Sequence, residues 1–135
     1  MIDITTKAIS PEQVISRAKT GGSGCVATYI GLIRDNSHGK TVLSVDYQDK
    51  DGKAVEGMRK IVAEAKQKWQ VENIAFTHRI GKLKVGDINL VVAVAAGHRG
   101  EAFAACQYII DRFKESQPTH KIETYQDGTT LDHDS

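Results

Sequence analysis

The chain has 135 residues, 40% of them hydrophobic, which suits one globular domain spanning 1–135 with a single buried core. Eighteen basic and 17 acidic residues leave a formal net charge of +1 with no block of like charge, which excludes a nucleic-acid-binding arm or an acidic tail. No apolar run approaches the roughly 20 residues of a membrane span, and the opening MIDITTKAIS lacks a basic start and an apolar signal core, so a cytoplasmic protein without membrane contact is expected.

Ser10-Pro11-Glu12-Gln13 supplies an N-cap, a first-turn proline and a capping-box partner ahead of Val14, Ile15 and Ala18, predicting a helix that ends at Gly21-Gly22. The near-continuous apolar run from Cys25 to Ile33 predicts a strand buried on both faces, with Arg34 at its end. After the polar turn 35–39, residues Val42 to Tyr47 alternate, predicting a half-exposed strand with Leu43, Val45 and Tyr47 on one face. Val55, Met58, Ile61, Val62, Ala65 and Trp69 recur at helical spacing and predict a second helix.

Ile74, Phe76 and His78 alternate against Ala75, Thr77 and Arg79, and a turn near Gly86-Asp87 leads to the apolar run Leu90 to Ala96, predicting a β-hairpin with a long loop. A third helix near 100–116 is expected to bury Phe103, Cys106, Ile110 and Phe113 and to stop before Pro118. Lys121 to Tyr125 reads as a short edge strand. The order helix, two strands, helix, two strands, helix predicts an α+β sandwich with three principal helices and a mainly antiparallel sheet.

Several familiar chemistries find no support in the residues. Gly39-Lys40-Thr41 resembles the end of a phosphate-binding loop, but Arg34 stands where that loop needs glycine, and a strand follows where a helix should. The glycines of 20–24 precede a strand, whereas a dinucleotide site needs them after one. His38, His78, His98, His120 and His133 are scattered singly, so no metal site is expected. Cys25 and Cys106 sit among apolar neighbours with no adjacent base, which predicts buried reduced thiols rather than a disulfide or a nucleophile, and no Gly-x-Ser-x-Gly elbow occurs. No cofactor is expected, and any reactive sulfur or acyl group has to arrive on another molecule.

What remains is a set of cations: Arg34 at a strand end, His98 and Arg99 at the start of the third helix, and Lys114 and Lys121 around its end. A lysine near a helix C-terminus complements the dipole, and one on an edge strand discourages aggregation, so each alone has an ordinary explanation. His98 and Arg99 at a helix N-terminus add side-chain donors to backbone amides already disposed to hold phosphate.

Taken together, Gly31-Leu32-Ile33-Arg34, His78-Arg79-Ile80-Gly81, Gly97-His98-Arg99 with Ala102-Phe103, and Ile110-Asp111 through Lys114, Pro118, Lys121 and Glu123 resemble the catalytic (large) subunit of molybdopterin synthase, the MoaE family. The likeness runs from about residue 24 to 123 in the same order and with similar spacing. It implies an α/β hammerhead-like fold and a sulfurtransferase that works with a small ubiquitin-like partner carrying sulfur as a C-terminal thiocarboxylate. That pair converts cyclic pyranopterin monophosphate (precursor Z) into the dithiolene molybdopterin.

The resemblance also implies roles. Lys114 and Lys121 match the family's two active-site lysines, Arg34, His98 and Arg99 its substrate-binding residues, and further contacts fall at Ile122 and Glu123. Arginine and histidine would hold the substrate phosphate, and the lysines would move protons and stabilise an oxyanion at the thiocarboxylate carbonyl, the preferred reading, with a transient covalent adduct on Lys121 as the alternative.

A helix from residue 99 to 114 spans on the order of 22 Å, too far for one small pterin to touch both ends. A homodimer is therefore expected, His98 and Arg99 of one subunit meeting Arg34, Lys114 and Lys121 of the other, and with the small partner the resemblance implies a heterotetramer. The sequence departs from the family pattern at Thr119-His120, where an aromatic usually precedes the second lysine, at 47–52, and near Thr130-Leu131, where a tryptophan is missing. A non-catalytic relative that binds a ubiquitin-like tail or a phosphorylated ligand as a scaffold is the competing reading, though it needs the groove and not the cations.

Overall fold

The computed structural model describes residues 1–132. His133 lies outside them. The elements in chain order are β1 (Ile2–Thr5), α1 (Pro11–Ala18), β2 (Cys25–Leu32), β3 (Asn36–Ser37), β4 (Lys40–Gln48), α2 (Ala54–Lys68), β5 (Asn73–Arg79), β6 (Gly81–Lys84), β7 (Ile88–Ala96), α3 (Arg99–Ser116), β8 (His120–Tyr125) and β9 (Thr130–Asp132). Two sheets result. One has the order β1-β5-β7-β2; the other runs β3-β4-β8-β9, with β6 also paired to β4. The β1–β5 pair is parallel and the other described pairs are antiparallel. The α+β class, the three helices and the antiparallel bias all agree with expectation.

The alternation of β7 explains the layers. Val91, Ala93 and Ala95 face α1, packing with Val14 and Ala18, while Val92, Val94 and Ala96 face α2 and α3, packing with Met58, Ile61 and Ile109. With both faces covered, β7 needs no polar residue from Leu90 to Ala96, which is why that stretch reads as a continuous apolar run. Each fully buried side chain such as Phe76, Met58 or Ile109 contributes roughly 1.5–3 kcal/mol. A third cluster, Ile33, Val42, Val45, Tyr47, Leu83 and Tyr125, packs the second sheet.

Several expectations are corrected. The strand from Cys25 is not buried on both faces: it forms a sheet edge and leaves Ile30 44% and Leu32 57% exposed. Leu43 does not share a face with Val45 and Tyr47, because the β4–β8 register shifts between Val42 and Ser44 and turns Leu43 outward. Phe103 is 64% exposed, since the core-facing stripe of α3 runs through Ala102, Ala105, Cys106 and Ile109 and Phe103 lies one position off it.

β8 is not an edge, being flanked by β4 and β9. α1 ends at Ala18 with Lys19 as its cap, short of the glycines. The long hairpin loop between β5 and β7 holds β6, and β1, β3 and β9 are additional strands.

Candidate functional site

A cleft of about 610 Å³ opens where the two sheets meet the C-terminus of α3, and Arg34, Lys114, Lys121 and Glu123 all line it. Each arrives from a different local cause. Ile33 donates its N–H to the Asp87 carbonyl at 3.0 Å and accepts from Gly86 at 2.9 Å, fixing the chain just past β2 where Arg34 stands. Lys114 sits in the last turn of α3, whose C-cap Gln117 adopts a left-handed conformation (φ 44°) and donates to the Phe113 carbonyl at 3.0 Å. Pro118 then prevents the helix from continuing.

Lys121 enters from β8, opposite Tyr47 on β4, and Glu123 lies opposite Val45. Residues two apart on a strand share a face, so Lys121 and Glu123 both look into the cleft with Tyr47 and Val45. By the same alternation Ile122, a candidate contact, points to the other face and does not line the cleft. Glu123 is 4% exposed, its Oε1 accepting from the hydroxyls of Ser37 and Tyr125 at 3.0 Å each.

The other two candidates are elsewhere in the chain. His98 is the N-cap of α3 and Arg99 its first residue, both exposed. At 1.5 Å of rise per residue along α3, Arg99 lies roughly 22 Å from Lys114. One copy of the chain therefore assembles Arg34, Lys114, Lys121 and Glu123 and leaves His98 and Arg99 apart.

Arg34, Lys114 and Lys121 form no ion pair among the described residues. Three cations against one buried carboxylate make the cleft suited to an anion. The thiols contribute nothing to it: Cys25 and Cys106 are free, neither lines the cleft, and burial pushes the Cys106 thiol up to about 11. Among the described residues no three His, Cys, Asp or Glu side chains group as a metal site, and no helix is long and apolar enough to cross a membrane.

Sequence reasoning passed over Tyr29, Ser37, Asn89 and Thr119, which also line the cleft. Asn89 donates from Nδ2 to the Tyr47 hydroxyl at 2.9 Å, and burial pushes the Tyr47 phenol above its ordinary range. These residues come from segments distant in sequence, and no local spacing marks them. His120, which stands where the family pattern has an aromatic, is buried and places Nε2 3.0 Å from the Asp132 carboxylate, so it ties β8 to β9 instead of lining the cleft.

Residues 4–116 match the MoaE protein family. The chain belongs to the MoaE family. It is 38% identical over 128 residues to a molybdopterin synthase catalytic subunit from Nostoc sp., an alignment that covers 94% of this chain and 78% of that one. Its fold superposes on the crystal structure of molybdopterin synthase from Staphylococcus aureus with a TM-score of 0.89, at 29% identity, covering 98% of this chain and 97% of that one.

A complex of subunits 1 and 2 of the molybdopterin-converting factor from Helicobacter pylori has the same fold, with a TM-score of 0.76 at 15% identity and coverage of 97% and 88%. Within this MoaE-family chain, the match spans the strand that precedes Arg34 and all of α3, including Lys114, so these elements that build the cleft belong to the shared family fold.

Proposed function

We propose that this MoaE-family chain is the catalytic subunit of a molybdopterin synthase, and that the cleft receives cyclic pyranopterin monophosphate together with the thiocarboxylated tail of a small ubiquitin-like partner. The observation that carries this reading is the convergence of Arg34, Lys114 and Lys121, from three separate elements, on one anion-suited cleft. Arg34 provides charge-assisted hydrogen bonds to the substrate phosphate. Lys121 on its strand and Lys114 at the helix end flank the space where the tail's carbonyl would react, placed to stabilise an oxyanion and to pass protons. The Helicobacter pylori complex of two subunits supports a partner of this kind.

The chain supplies binding, orientation and charge, and the partner supplies the sulfur, so the reaction class is sulfur transfer. His98 and Arg99, stranded at the far end of α3, complete the site from a second copy of the chain, with the homodimer carrying one small subunit on each protomer. In that arrangement they add to Arg34 as phosphate ligands, and Glu123 orients the polar wall beside Lys121.

The decisive experiment incubates the purified chain with thiocarboxylated small subunit and precursor Z and follows dithiolene formation. Lys121→Ala and Lys114→Ala are each expected to lower the rate by on the order of 10²-fold or more, the range for loss of an oxyanion donor or a proton-transfer group. Absence of product from the unaltered chain, or undiminished rates in both variants, would overturn the assignment.

A further inference from the structure

His78, on β5, is fully buried yet belongs to none of the roles above. Its imidazole is gripped on four sides. Nδ1 lies 2.9 Å from the Asn89 carbonyl and Nε2 3.0 Å from the Thr119 hydroxyl. The rings of Tyr47 and Phe113 meet it edge-on at centroid distances of 4.9 and 5.0 Å. All four neighbours line the cleft, and His78 itself does not. It stands directly behind the cleft wall.

The partners fix the tautomer. A carbonyl oxygen can only accept, so Nδ1 carries the proton, and the neutral ring's Nε2 then accepts from the Thr119 hydroxyl. Burial holds the ring neutral, pushing its pKa down to about 4. A hydrogen-bonded line results, from Thr119 through His78 to the Asn89 carbonyl, continued by the Asn89 side chain to the Tyr47 hydroxyl at 2.9 Å. It crosses from the end of α3 and the start of β8, through β5 and β7, to β4.

The positions of the gripped residues give this line its use. Phe113 immediately precedes Lys114, and Thr119 lies two residues before Lys121. The left-handed Gln117 and Pro118 form the turn between them. His78 therefore holds both feet of the turn that sets the separation of the two lysines. An apolar side chain of similar size would fill the volume without the cost of desolvating an imidazole, but it would take away the hydrogen-bond partner that His78 gives the Thr119 hydroxyl and the Asn89 carbonyl.

We propose that His78 is a positioning residue for sulfur transfer, its fixed tautomer holding Thr119 and Phe113 so that Lys121 and Lys114 present their amines at a set spacing across the cleft. The proposal rests on the functional reading above. It adds a reason for the buried histidine that follows neither from the cation cluster nor from packing.

The test uses the full chain with its small subunit. Thr119→Val keeps the shape and removes the hydroxyl; Thr119→Ser keeps the hydroxyl. Thr119→Val is expected to lower kcat on the order of 10-fold, within the 10²-fold that a 1 Å misplacement costs, with KM for precursor Z changed less than about twofold. Thr119→Ser is expected to recover most of the rate. Long-range ¹H–¹⁵N spectra of histidine-labelled protein should give an Nδ1–H tautomer for His78 in the unaltered chain and in both variants, because the Asn89 carbonyl remains, while the Nε2 resonance should shift in Thr119→Val, which loses the donated hydroxyl bond, and stay in place in Thr119→Ser. Unaltered turnover in Thr119→Val, a parallel change of kcat and KM, or an Nε2–H tautomer in the unaltered chain would overturn the proposal. If the unaltered chain makes no dithiolene, the functional reading fails. The positioning role is then decided by the tautomer spectra and by the acylation rate of Lys121 relative to Lys114, whose invariance in Thr119→Val would overturn it.

Discussion

At the scale of single residues, the buried polar groups are where pH acts on stability. His78 has a folded-state pKa near 4, below the ordinary 6.5, because burial disfavours the imidazolium. Between those values the unfolded chain binds the proton and the folded one does not, so stability rises with pH across this window. The stabilisation of the neutral ring is complete above about 6.5 and is lost as pH falls toward 4, by roughly 3 kcal/mol in total. Urea unfolding at pH 7, 6, 5 and 4 should show that loss, and His78→Gln, though less stable at neutral pH, should show a shallower slope. Equal slopes for the two proteins would mean that His78 is not the group responsible.

At the scale of elements, two glycines at the ends of adjoining strands, Gly24 just before β2 and Gly97 just after β7, make opposite predictions. A Cβ at Gly24 would fall 2.2 Å from the Gly97 carbonyl oxygen, a backbone atom that cannot swing aside, whereas a Cβ at Gly97 meets nothing within 4 Å. Gly24 also donates its N–H to the Ala96 carbonyl at 2.9 Å, so β2 enters the sheet in contact with the end of β7. Gly24→Ala should cost about 1–3 kcal/mol through forced backbone displacement, while Gly97→Ala should change stability by less than about 0.5 kcal/mol. Denaturant midpoints of the two variants measure the contrast, and similar values would contradict it.

Elements also show what was legible beforehand. Helix α2 was readable because its stripe of Met58, Ile61, Val62 and Ala65 keeps a single helical period along its buried face. Phe103 was not, since hydrophobicity says that a side chain prefers burial but not which flank of α3 finds a partner. Leu43 was misplaced by a register shift, and register is set by β8, some 80 residues later. β1 has four residues and β6 four, too short for periodicity, and each is defined by pairing with a distant strand. Within the site, the alternation of Lys121 and Glu123 was visible in sequence and by itself sets Ile122 on the other face. The Thr119–His78–Asn89–Tyr47 line was invisible, because it exists only once four segments have met.

At the scale of the whole molecule, the candidate cations sit at both ends of α3, and one copy gathers Arg34, Lys114 and Lys121 but not His98 and Arg99. If the site is shared between two copies, Arg99→Ala and Lys121→Ala damage different halves. A mixed dimer of the two variants then keeps one intact composite site, and its activity should reach a sizeable fraction of the unaltered dimer's while each variant alone is depressed. Dithiolene assays on dimers reassembled from differently tagged variants provide the measurement, and a mixture no better than its components would rule out sharing.

The cleft lies on the seam between two sheets with separate cores. Its shape depends on how the sheets are registered against each other, while most of the folding free energy resides within each of them. A search for heat-resistant variants would accordingly reward changes inside either core and be nearly blind to damage at the seam. Proteins that survive such a search intact could still have lost the alignment their chemistry needs, and turnover would have to be screened alongside melting.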